Sequence, residues 1–277
     1  MRTSLDDMFG SFRSVEGGRL RIDREESAPF VAVDPAAALE VEVSADGAAQ
    51  LVVVHRAPAD GPVNLRIRLH EAARLALTEV FLVPAKVEVT LEQAAGSASR
   101  ITAVQLAGAE AHYRTELNGE RAESVLHGLF IAGGEEHCSV SLHTAHNVPD
   151  CRSESCVKGV AGGKATGRFG GLVYVAPDAQ RTDARQQSRN VLLSDEARID
   201  TLPQLEIYAD DVTCSHGATV GRMDDEAVLY MRQRGLSKAT ARRLQIEGFA
   251  ADVVRHCGIE PLCDRLMTAV AEKMEQL

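Results

Sequence analysis

Between residues 39 and 92 the chain reads LEVEVS (39–44), QLVVVHR (50–56), VNLRIRLH (63–70) and VEVTLE (87–92), with apolar side chains at alternate positions. A period of two sends successive side chains to opposite faces, so each stretch predicts a β-strand. The same alternation continues through SRITAVQL (99–106), HYRTEL (112–117), SVLHGLFI (124–131) and CSVSLH (138–143), and on to about Tyr174. Residues that tolerate positive φ separate the strands, at Asp46-Gly47, Asn118-Gly119 and Gly133-Gly134. A long series of short strands admits a sandwich, a barrel or a solenoid of stacked rungs. Trp is absent and aromatic residues are 4% of the chain, which favours small stacked aliphatics over a ring-filled core, although no exact repeat is visible. Composition leaves sandwich and β-helix both open.

The 277 residues include 45% apolar and 25% charged side chains, the balance of a folded globular chain. A formal net charge of -10 disfavours phosphate backbones and anionic lipid, and no basic run offsets it. No nucleic-acid or membrane partner is therefore expected, and no apolar run approaches the roughly 20 residues of a membrane helix. Asp6 and Asp7 stand where an export signal needs a positive flank. The expected location is cytoplasmic. Six cysteines then read as reduced thiols.

Near Met223 the period changes. Asp224 can cap a helix whose first turn holds Asp225 and Glu226, and Gly235 follows Arg232 and Arg234 at its end. Ser237 is the next cap, ahead of a segment with Leu244, Ile246, Phe249, Val253 and Val254 at helical spacing. A third helix is expected after Pro261. The chain thus divides into a short amino-terminal segment (1–38), a β core (39–222) and a helical region (223–277).

Two constellations could carry chemistry. EEHCSVSLHTAHNVPDCRSESC (135–156) holds His137, Cys138, His143, His146, Cys151 and Cys156, donors that soft and borderline metals accept. Strand alternation splits them, with His137 and His143 on one face and Cys138 on the other as a small core residue. His146 and Cys151 flank a turn at Pro149 and could be local metal partners. In DVTCSHGATVG (211–221), Cys214 and His216 share one strand face with anchors roughly 6.6 Å apart. One ion could bridge them, but two ligands need completion from elsewhere. Both could equally be packed core groups. The glycine-rich GVAGGKATGRFGG (159–171) lacks the order of a phosphate-binding loop, so no nucleotide is expected on this chain. A G-x-S-x-G elbow is also missing.

The run QLEIYADDVTCSHGATVG (204–221), within a longer similar stretch at 181–227, closely resembles the SufB/SufD family of iron-sulfur cluster assembly proteins, and within it the SufD branch. Weaker similarity reaches back through His146, Pro149, Ser153 and Lys158 and forward through LYMRQRGLSKATARRLQIEGF (229–249). The resemblance implies a mainly β fold, a right-handed parallel β-helix (a β-solenoid), with α-helices at the carboxyl terminus. It also implies a non-catalytic scaffold that pairs with a SufB-like paralogue or with itself. A SufC-type ATPase would dock on the helices after Met223. Cys214 and His216 match the family's C-S-H-G, and His216 is the residue expected at an interfacial site for iron or a transient iron-sulfur cluster. The chain is short for that family, with most of the usual amino-terminal helical domain expected to be missing. Two other classes compete: a secreted-type β-helix enzyme acting on polysaccharides, and a purely structural homodimer.

Overall fold

Period-two alternation becomes two parallel sheets that face each other. The structure, a computed structural model, describes residues 11–277. One sheet is built in order from β1 (Arg13–Ser14), β3 (Phe30–Val33), β5 (Ala48–His55), β7 (Arg74–Phe81), β9 (Ala98–Gln105), β11 (Glu123–Ala132), β13 (Arg152–Ala161), β15 (Asp183–Leu192) and β17 (Thr213–Arg222). The other is built from β2 (Arg19–Ile22), β4 (Ala38–Val43), β6 (Val63–Leu69), β8 (Ala85–Gln93), β10 (Ala109–Leu117), β12 (His137–His146), β14 (Thr166–Val175) and β16 (Arg198–Ile207). The chain alternates between the sheets, and every ladder is parallel. Arg13 pairs with Phe30, Arg74 with Ala98 and Thr166 with Arg198, so coils lengthen from 17 through 24 to 32 residues along the stack. This is a β-solenoid, as the resemblance implies, and the sandwich alternative is set aside.

Coils stack at a repeated corner. Asp46, Ala72, Gly96, Arg121, Asp150 and Arg181 all have positive φ, between 55° and 65°. Amides there donate to the next coil, as in Ala72 N to Ala95 O (2.9 Å) and Gly96 N to Glu120 O (2.9 Å). Only one of these six is glycine, so the corner repeats in geometry while its sequence does not. At Gly119 a Cβ would lie on the backbone of Ala94 and Ala95, so only glycine fits there.

Inward side chains from both sheets form the main core, with Leu51, Leu77, Ile101 and Leu126 stacked in one column. Strand pairing starts at Arg13, ahead of residue 39, so described residues of the amino-terminal segment already contribute strands to both sheets. Asp6 and Asp7 lie outside the described residues.

Three helices follow: α1 (Asp225–Gln233), α2 (Lys238–Val254) and α3 (Glu260–Met274). Asp224 caps α1 by accepting from the Glu226 and Ala227 amides (both 3.0 Å), Ser237 caps α2, and Gly235 ends the first helix at φ 93°. α2 and α3 fold back on the outer face of the nine-stranded sheet. There Ile246, Ala250, Val253, Leu262, Leu266 and Val270 meet Val52, Val80, Val104, Leu129 and Val160. Middle strands of that sheet are buried on both faces, which accounts for continuous runs such as LVVV (51–54). Leu244, expected on the buried face of α2, is 42% exposed.

Two ion pairs fasten the cap. Lys158 Nζ lies 2.6 Å from Asp252 Oδ2 and also donates to the Phe249 carbonyl (3.1 Å), while Lys273 Nζ is 2.6 Å and 2.7 Å from the two oxygens of Glu136. α1 buries only Val228 and leaves Leu229, Tyr230 and, just beyond it, Leu236 exposed. One expectation is corrected: Cys257 and Cys263 form a disulfide. The tight turn at Gly258, with φ 69°, brings the 3₁₀ turn before it against the first turn of α3, which no sequence spacing marked.

Candidate functional site at the last coil

One inward column changes from aliphatic to polar side chains toward the last coil. The column that runs Leu51, Leu77, Ile101, Leu126 continues as Ser155, Gln186 and His216. Its neighbour ends Ser153, Ala184, Cys214. β17 pairs with β15 on one side and ends the nine-stranded sheet; β16 ends the other. Almost every side chain of β17 is exposed, and Leu202, Ile207 and Tyr208 are exposed on and just after β16. An unpaired edge of this kind is a template for strand addition.

Cys214 and His216 lie on the inward face of β17, over Ala184 and Gln186. Cys214 is half-buried against the cluster of Val173, Val175, Ala179, Ala184 and Ala209. Burial pushes its thiol pKa up, partly offset by a hydrogen bond involving the Ala184 backbone, so the free chain holds it as a thiol at neutral pH. His216 is exposed at the mouth of the coil. Gln186 below it is 1% exposed and donates from Nε2 to the Gly171 carbonyl across the lumen (3.2 Å). Asn190, also buried, donates to Ser188 Oγ (2.9 Å) and to the Thr219 carbonyl of β17 (3.1 Å), tying the edge strand to the coil beneath.

The donors of residues 135–156 are dispersed. Cys138 is wholly buried, its thiol pushed up to about 12 by burial, in keeping with the core role read from alternation. His137 is exposed and bonded to Thr166 Oγ1 (2.8 Å). His146 is fully buried; its Nε2 lies 2.8 Å from Ser153 Oγ, its Nδ1 has no partner, and burial lowers its pKa to about 4. Cys151 packs with Leu117 and Ala122 and donates to the Gly119 carbonyl (3.3 Å). Cys156 stands beside His127 in register, and the His127 ring stacks on His256 with centroids 3.5 Å apart. Among the described residues no three His, Cys, Asp or Glu side chains converge to hold a metal ion. Cys214 and His216 are of the side-chain types that borderline metals accept, but two side chains fall short of the four of a closed structural site.

Gln186, Ser188 and Asn190 were not singled out from sequence. Part of their signal was present in RQQSRN (185–190), where Gln186, Ser188 and Asn190 alternate with Arg185, Gln187 and Arg189. The first set faces inward and the second outward.

The chain is thus of the class of parallel β-solenoids, here with a thiol and an imidazole on the strand that ends one sheet. Residues 36–249 match the family described as SUF system FeS cluster assembly, SufBD core domain, and the chain belongs to that family. It is 38% identical to the iron-sulfur cluster assembly protein SufD of Escherichia coli over 160 residues, 58% of this chain and 38% of that protein. SufD of Bacillus subtilis is likewise 38% identical over 161 residues, 58% of this chain and 37% of that one. An iron-sulfur cluster assembly SufBD family protein of Mycobacterium tuberculosis is 29% identical over 254 residues, 86% of this chain and 63% of that protein. The first two likenesses are to SufD proteins and support a SufD-type chain. The chain spans between 37% and 63% of the length of these three relatives. No described helix is long and apolar enough to cross a membrane.

Proposed function

We propose that this chain is a non-catalytic scaffold subunit for iron-sulfur cluster assembly, acting in the cytoplasm, whose last coil pairs with a SufB-like paralogue or with a second copy. The observation that carries this reading is the unpaired β17 edge with Cys214 and His216 on its inward face. In this reading iron or a nascent cluster is cargo. His216 contributes a neutral nitrogen, Cys214 a sulfur once a nearby cation lowers its pKa, and the partner supplies the remaining donors. His146 and Cys151 serve the fold here: the first is bonded to a core serine and the second to a corner carbonyl.

The ATPase partner is assigned to α1 and the start of α2. Leu229, Tyr230, Leu236 and Leu244 are exposed there, with Arg232, Arg234 and Lys238 toward the α1–α2 turn and Asp224, Asp225 and Glu226 at the start of α1, an apolar surface with basic and acidic ends. Family membership leaves the polysaccharide-acting alternative without support.

The test is anaerobic co-expression with a SufB-like and a SufC-type protein, followed by iron, sulfide and subunit analysis. His216→Ala is expected to leave subunit stoichiometry unchanged and to lower iron at least several-fold. Unchanged iron removes His216 from the site.

A further inference from the structure

The position beneath His216 is occupied against the trend of its own column. Four aliphatic side chains precede Ser155 and Gln186, and Gln186 is as buried as they are. A buried carboxamide is disfavoured unless its hydrogen-bonding groups are met. Space for it comes from Gly171 on the opposite sheet, where a Cβ would come within 2.4 Å of Gln186 Oε1 and 2.6 Å of Cδ. The amide is thus laid across the lumen against Gly171, where any larger residue would require the amide to move.

Its orientation follows from its partner. The Gly171 carbonyl only accepts, so the atom 3.2 Å from it is the amide nitrogen. The amide oxygen is the acceptor that remains on this side chain. The next inward side chain in register is His216, one parallel strand away, about 4.8 Å between strands.

We propose that Gln186 is a positioning residue for His216, its amide oxygen accepting the hydrogen of one imidazole nitrogen and leaving the lone pair of the other directed out of the coil. The inference rests on the reading of His216 as a donor at the open edge. An imidazole binds through the nitrogen that carries no hydrogen, and the bond made by the other nitrogen selects which one that is. An exposed histidine without such a bond samples both tautomers and many rotamers. With it, the ring is oriented before a partner arrives, and Asn190 holds the strand that carries it at Thr219.

Imidazole ¹⁵N shifts of the metal-free chain at pH 8, where the free ring is neutral, read the tautomer directly. One tautomer of His216 is expected to dominate in the natural chain. Gln186→Leu is expected to relax the ring to the mixture of an unrestrained histidine. Gly171→Ala, which intrudes on the amide, is expected to do the same, while amide shifts outside the last coils stay unchanged. An unrestrained mixture in the natural chain, or an unchanged pattern in both Gln186→Leu and Gly171→Ala, overturns the proposal. Iron content of the partnered complex reports separately: full iron in His216→Ala sinks the donor reading whatever the tautomer, and a tautomer unaffected by Gln186 sinks only the positioning.

Discussion

His146 shows what burial does to a titratable group in this lumen. Its ring is fully enclosed, with Nε2 on Ser153 and Nδ1 unpartnered, and its pKa falls from 6.5 to about 4, chiefly through burial and against the opposing pull of Asp183. The unfolded chain therefore binds this proton more readily than the folded one between those values. The resulting stabilisation is intact above pH 6.5 and is lost progressively down to pH 4, about 3 kcal/mol from this group alone. Urea midpoints taken from pH 7.5 to 4.5 are expected to fall, and to fall less in His146→Gln. Parallel curves for the two proteins would contradict the assignment. Its identity as a candidate was legible in the sequence, but its burial was not, because alternation cannot say that a histidine at the end of a strand turns into the core.

At the scale of elements, the cap depends on a few polar contacts set among many apolar ones. The Lys158 ammonium is almost wholly buried between β13 and α2, with Asp252 as its counter-ion and the Phe249 ring 4.4 Å away. Asp252→Ala leaves that charge unpaired, at a cost of about 1–3 kcal/mol. Lys158→Met removes charge and pairing together and is expected to cost less. Thermal melts of both variants, with hydrogen exchange across α2, check the order; equal losses would mean that the ion pair is only incidental. Helix starts were legible because Asp224 and Ser237 are strong caps. The face of α2 was read less well: Leu244 fits the helical period yet points to solvent, since the sheet meets only the stripe through Ile246, Ala250 and Val253. The Cys257–Cys263 pair escaped notice because a turn in space, and not a motif, joins them.

For the molecule as a whole, strands were readable one by one and their coiling was not. The corner that turns each coil needs positive φ, and the chain meets that need with Asp46, Ala72, Gly96, Arg121, Asp150 and Arg181, so no repeated letter marks a period. Resemblance over residues 181–227 chose the solenoid where periodicity could not. The column that runs through Leu51, Leu77, Ile101 and Leu126 becomes Ser155, Gln186 and His216 toward the carboxyl-terminal end of the stack, which is the end the proposed function uses. The central claim is that this end is completed by another polypeptide along β17. Hydrogen exchange of residues 213–222, compared between the isolated chain and its complex with a SufB-like partner, tests it most directly. Amides on the free side of β17 should exchange quickly in the isolated chain and become strongly protected in the complex, whereas a stable complex that protects other surfaces and leaves β17 unchanged would contradict the account.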